Sequence, residues 1–166
     1  RDLRMSRGLG DVYKRQTFIS QNLGAKEYDR AKKGAVFGVI CSLTISELIG
    51  ICVHFTAPQL LSAFSSTAEV IHYGTMQAHT DTFFYFLLAF SHCMAGIMRG
   101  AGKSTVPMYV MLVCWCLIRV SYIVIILKFI PSIQMIFWAY PITWALSSIA
   151  FLIYFLKSDW IHGLER

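Results

Sequence analysis

A single apolar run from Gly34 to Ala57 carries one acidic side chain, Glu47, near its middle. About 20 consecutive apolar residues are enough for a helix to cross a bilayer, and water-soluble helices rarely sustain such a run. A carboxylate at that depth costs about 2.5 kcal/mol or more unless it faces protein or trapped water. The run therefore fixes where the chain resides, and it requires neighbours that shelter Glu47. The rest of the sequence agrees: 56% of the 166 residues are hydrophobic and only 14% are charged, a balance that belongs to integral membrane proteins.

Three further apolar runs follow, at about 82–98, 106–127 and 136–156. Each is long enough to span a bilayer or nearly so, and the expected fold is an all-α integral membrane protein with four transmembrane helices. Short connections at Ala57-Pro58, Gly100–Gly102 and Ile130–Ser132 hold the turn chemistry. Ser66 and Glu69 have the spacing of a capping box, so the second helix is expected to start there and to overshoot the hydrocarbon.

Charge sets the orientation. The formal net charge is +6, but five of the fifteen basic residues fall in the first sixteen positions and most of the others flank apolar runs. That pattern is a membrane one and excludes nucleic acid as a partner. Lys26, Arg30, Lys32 and Lys33 precede the first span, Arg99 and Lys103 lie between the second and third, and Lys157 and Arg166 follow the fourth. The opposite side holds Lys128, and the connection from Pro58 to Asp81 has no basic residue. Both ends are expected on the cytoplasmic face. Trp138 and Tyr140 then fall at the outer interface and Trp160 at the inner one.

Arg1 to Gln16, RDLRMSRGLGDVYKRQ, shows no helical or strand period and no apolar face. It lacks the apolar core of a signal peptide. GLGDVYKRQ is similar to translated adapter read-through, and the expectation is that residues 1–16 are foreign to the fold, with the native part running over 17–166. A basic cytoplasmic loop is the alternative.

Several residues carry chemistry that a bare span would not need. Gly34, Gly38, Ser42, Ser46, Gly50 and His54 recur at every fourth position. They form a slowly winding stripe of small or polar residues on which another helix can pack closely. Glu47 shares a face with His54, at the edge of that stripe, and serves either in a cation or proton path or as a fixed partner in the bundle. On the second helix Asp81, Tyr85, Leu88, His92 and Arg99 are expected on one side, as the wall of a partly hydrated passage. His92 there is either a proton shuttle or a packed hydrogen-bond donor. Arg119 is the costliest residue, with Trp115 and Tyr122 at helical spacing to lie against its guanidinium, and a Glu47–Arg119 ion pair is an economical arrangement. Pro141 is expected to bend the fourth span. The five cysteines read as small buried hydrophobes. No catalytic constellation, metal-ligand set or cofactor motif stands out, and an enzyme is not expected.

Four segments, TFISQNLGAKEYDRAKKG, FTAPQLLSAFSSTAEVI, GIMRGAGKSTVPM and WAYPITW, resemble in order the C-terminal part of multidrug and toxic compound extrusion (MATE) transporters. The likeness runs from about Thr17 to Leu156 and is most specific at Gln21–Ala25 and at Arg99–Gly102 with Pro107. It implies a twelve-helix antiporter of two six-helix lobes that exports cationic amphipathic compounds against sodium or protons. Its setting would be the bacterial cytoplasmic membrane. The chain would supply the end of helix eight and helices nine to twelve. Its implied partners are membrane lipid, the missing N-terminal lobe, and a small-molecule substrate with a coupling cation. One departure stands out: where a branch of the family has an acid in helix ten, this sequence has an apolar residue near Leu88. A lipid-linked oligosaccharide flippase of related architecture and a non-transporting membrane subunit are the competing readings.

Overall fold

The computed structural model describes residues 10–161, with side chains from residue 15 onward. The helices are α1 (Gly10–Gly24), α2 (Tyr28–Phe64), α3 (Ala68–Thr82), α4 (Tyr85–Gly100), α5 (Thr105–Met111), a π-helical segment (Leu112–Ile118), α6 (Arg119–Phe129) and α7 (Ile133–Lys157). Of the sixteen residues set aside on sequence grounds, 1–9 lie outside the described residues, as does Arg166. Gly10 to Gln16, by contrast, are helical and continue into 17–24. That stretch has no proline to interrupt it, and local hydrogen bonding makes the helix even without an apolar period.

α2 contains 37 residues, about 55 Å of helix, and so outreaches a hydrocarbon core of about 30 Å. It does not end at Pro58 as the turn chemistry suggested; it runs through the proline to Phe64. Proline lacks an N–H, which leaves the carbonyl four residues earlier without its helical donor. That carbonyl, His54 O, instead accepts a hydrogen bond from His79 Nε2 of α3 at 3.0 Å. The inward face of α2 consists of Ala31, Ala35, Ser42, Gly50 and Ala57, while Phe37, Ile40, Leu48 and Phe55 are exposed. A small-residue face permits close approach, and the apolar remainder suits acyl chains.

The second span is not one helix. α3 and α4 meet at Phe83–Phe84 with a bend of 62°. The capping box at Ser66 and Glu69 does not form: Thr67 is the N-cap residue and makes no side-chain cap. Ser65 Oγ accepts the Thr67 N–H instead, at 3.2 Å. The third span is continuous from Thr105 to Phe129 but widens into the π segment midway. The fourth contains Pro141 within unbroken helix.

Two turns explain the most specific sequence motifs. After α1, Lys26 adopts φ 60, with Lys26 N–H bonded to Leu23 O and Glu27 N–H to Asn22 O. After α4, Gly102 adopts φ 77, with Gly102 N–H bonded to Arg99 O and Lys103 N–H to Met98 O. Both are Schellman closures, which need one left-handed residue past the helix end. Gly100 serves differently: a Cβ there would stand 2.7 Å from Gln16 O and 2.9 Å from Ile19 Cβ, so α1 and α4 touch through it. Around that contact Ile19, Leu23, Ala31, Ala35, Met94, Ile97, Met98 and Phe151 form the core. Trp160 closes it, stacked on Phe155 at 5.0 Å.

Candidate functional site between the broken span and α7

Glu47 is half-buried and its Oε1 accepts the backbone N–H of Phe86 at 3.2 Å. Phe86 lies in the first turn of α4, where N–H groups have no partner within the helix. The bend creates that bare helix start, and a carboxylate from the neighbouring helix satisfies it; the positive end of the helix dipole favours the charge. Gly50, one turn further along α2, makes this possible, because a Cβ there would stand 2.9 Å from Thr82 O. His54 Nδ1 lies 3.1 Å from Thr82 Oγ1, and its ring packs against His79 with centroids 4.3 Å apart. Glu47, Gly50, His54, Thr82 and Phe83 also line a cavity of about 370 Å³ at the joint.

The remainder of the proposed stripe sits lower on α2. Gly34 lies directly against the Phe18 ring, and Gly38 faces Arg15 at ordinary contact distance. Ser42 and Ser46 turn their hydroxyls back to Gly38 O at 2.8 Å and Leu43 O at 3.0 Å.

Arg119 and Glu47 do not pair. Arg119 Nε and Nη2 both donate to Thr143 Oγ1, at 3.1 and 2.7 Å. Its guanidinium lies over Trp115 at 5.6 Å and over Tyr140 at 4.5 Å. Trp115 was expected from its spacing; Tyr140 of α7 takes the place anticipated for Tyr122. The reason is tertiary, since α6 and α7 pack side by side and bring Tyr140 in from outside the helix. The π segment ends at Ile118, so Arg119 projects from the point where the helix resumes its ordinary winding. Such segments recur at functional positions.

Asp81 and Tyr85 do not share one straight helix face, because the joint lies between them. Tyr85 nonetheless turns towards α7. Tyr85 packs against Trp144 at 6.3 Å, Trp144 against Tyr140 at 6.1 Å, and Tyr140 against Arg119. Asp81 is 8% exposed. Gln77 Nε2 donates to its Oδ2 at 3.4 Å, while Oδ1 has no hydrogen-bond partner among the described residues. The carboxylate lies within electrostatic reach of Arg119 without bonding to it. His92 stands edge-on to Trp115 at 5.3 Å.

A polar ladder on α7 anchors this wall and was not read from the sequence. Trp115 Nε1 donates to Ser147 Oγ at 3.3 Å. Buried Ser91 of α4 lies 2.9 Å from Ser147 Oγ and 3.0 Å from Ser148 Oγ, and Ser148 donates to Leu87 O at 3.0 Å. Thr143, Ser147 and Ser148 fall at helical spacing inside an apolar run, and that spacing was the available signal. Three of the four sequence candidates, Asp81, His92 and Arg119, thus border one surface. Glu47 supports the joint beside it.

Three described helices are long and apolar enough to cross a membrane, or four if the bent pair is one span. With charged and aromatic groups gathered at half-depth, the architecture is that of a multi-pass membrane protein. Residues 15–125 match the MatE family, more than half of the chain, and the chain belongs to that family. It is 26% identical over 150 residues to multidrug and toxin extrusion protein 2 of Oryctolagus cuniculus, covering 89% of this chain and 25% of the relative. The fold is similar to the crystal structure of the eukaryotic MATE transporter AtDTX14, with a TM-score of 0.81 and 16% identity over 91% of this chain and 34% of that one. The chain therefore spans about a quarter to a third of the length of these relatives.

Proposed function

We propose that this chain is part of the C-terminal lobe of an efflux antiporter that exports cationic amphipathic compounds in exchange for sodium or protons. The observation that carries the reading is the surface running from Asp81 through Tyr85, Trp144 and Tyr140 to Arg119. Aromatic rings there offer apolar contact that tolerates varied substrate shapes, and Asp81 supplies negative charge for a cation. Among the described side chains Asp81 is the one buried carboxylate. A carrier of this kind needs a second lobe moving against the first around a central site, so the working unit includes a segment beyond this chain. The distribution of lysine and arginine supports a placement with both ends on the cytoplasmic face.

Expression of the full-length protein in cells lacking other pumps is expected to lower the accumulation of a cationic dye. Unchanged accumulation overturns the reading. Asp81→Asn in the same protein tests the coupling role. Full export by that variant would assign coupling to the other lobe.

A further inference from the structure

Arg119 stands at half-depth in its span, about 21 Å of helix from Thr105 and about 15 Å from Phe129. It is only half-buried. A guanidinium so deep cannot expose itself to acyl chains, so its open side faces water or another polar protein surface. On the proposed reading, that side is the cleft towards the missing lobe.

An arginine present only to hold helices together has its donors satisfied by the protein. Here, among the described residues, two of its five N–H groups go to one hydroxyl, Thr143 Oγ1, and the other three have no hydrogen-bond acceptor. Among the described residues the nearby carboxylates are engaged elsewhere or held short of contact: Glu47 is committed to Phe86 N–H, and Asp81 bonds Gln77. Thr143 has no hydrogen left for an incoming ligand, because it donates to the α7 backbone at Ala139 O, 2.8 Å away, or Tyr140 O, 3.0 Å away. The result is a guanidinium fixed at one edge by Thr143, flanked by Trp115 and Tyr140, and presenting its remaining donors as a planar fork. That geometry matches a carboxylate better than a point anion. Beside it, Tyr85, Tyr140 and Trp144 offer flat apolar contact.

We propose that Arg119, positioned by Thr143 between Trp115 and Tyr140, is the seat for a carboxylate carried by an aromatic substrate. This deepens the export reading and rests on it. A positive charge elsewhere on the same molecule lies on the Asp81 side, where Oδ1 is buried without a partner among the described residues. The substrates that fit best carry both signs of charge on an aromatic framework.

Rhodamine B and its methyl ester share one cationic ring system and differ in a single ionisable carboxylate. Binding of each to the purified full-length protein, read by fluorescence anisotropy, is expected to favour the acid by about tenfold, the effect of one charge-assisted pair. Arg119→Gln is expected to reduce that preference to about twofold or less, and Arg119→Lys to retain part of it. Equal affinity for acid and ester in the wild type overturns the proposal, as does a preference that survives Arg119→Gln. Should Arg119→Gln not fold, competition on the wild type decides: benzoate is expected to displace rhodamine B where benzamide does not, and equal displacement overturns the proposal. An intact acid preference in a protein that exports neither dye supports the seat while overturning the export reading.

Discussion

Gly50→Ala tests how the membrane tolerates Glu47. A Cβ at this position stands 2.9 Å from Thr82 O and 3.4 Å from Tyr85 Cδ2. Carbon–oxygen contacts settle at about 3.3–3.6 Å, so α2 must withdraw from the joint by about 0.4 Å. The neighbouring Glu47–Phe86 hydrogen bond is already 3.2 Å long, and the same withdrawal takes it to about 3.6 Å, beyond hydrogen-bond range. Overpacking alone costs about 1–3 kcal/mol, and losing a bond to a charged acceptor about 1.5–3 kcal/mol. The full-length protein is therefore expected to lose about 3 kcal/mol or more. Thermal unfolding in detergent measures it, with Glu47→Ala and the double variant alongside. Because Gly50→Ala already breaks the cap, the double variant should lose less than the sum of the singles, by about 1 kcal/mol or more. A Gly50→Ala protein as stable as the wild type refutes the reasoning, and strict additivity shows that the two residues act separately.

Gly100→Ala should be more damaging, since its Cβ meets the Gln16 carbonyl and the buried Ile19 rather than a yielding side-chain tip. Size-exclusion profiles of the full-length protein are expected to show loss of the monodisperse peak. Gly38→Ala, whose Cβ would meet the flexible Arg15 side chain at 3.6 Å from Cδ and 3.9 Å from Cγ, should stay within about 0.5 kcal/mol of wild type in thermal unfolding. Ser91→Ala removes the hydroxyl between Ser147 and Ser148, although each keeps a backbone acceptor; a loss of about 1 kcal/mol is expected in the same measurement. His79→Ala is expected to destabilise the wild type but much less so a Pro58→Ala background, because an alanine N–H at position 58 competes for His54 O. Equal effects in the two backgrounds would mean that the proline does not free that carbonyl.

Residence in a membrane was decided by the sequence alone, because a lipid-length apolar run has few other destinations and Glu47 and Arg119 within such runs demand shelter. The Gly102 turn was equally legible, since a left-handed position restricts residue type. The inward face of α2 was legible only in part: Ser42 and Gly50 of the expected stripe are buried, and the rest of that face is Ala31, Ala35 and Ala57. The break between α3 and α4 was not. No proline or glycine marks Phe83–Phe84, and the carboxylate that satisfies the exposed helix start, Glu47, stands thirty-nine positions before Phe86. Tyr140 and Thr143 likewise reach Arg119 only because α7 packs beside α6. Local spacing reports which residues share a helix face, as Gln77 does with Asp81 and Trp115 with Arg119; which helices become neighbours depends on side-chain fit across the bundle, and that fit brought Phe86 to Glu47 and Thr143 and Tyr140 to Arg119.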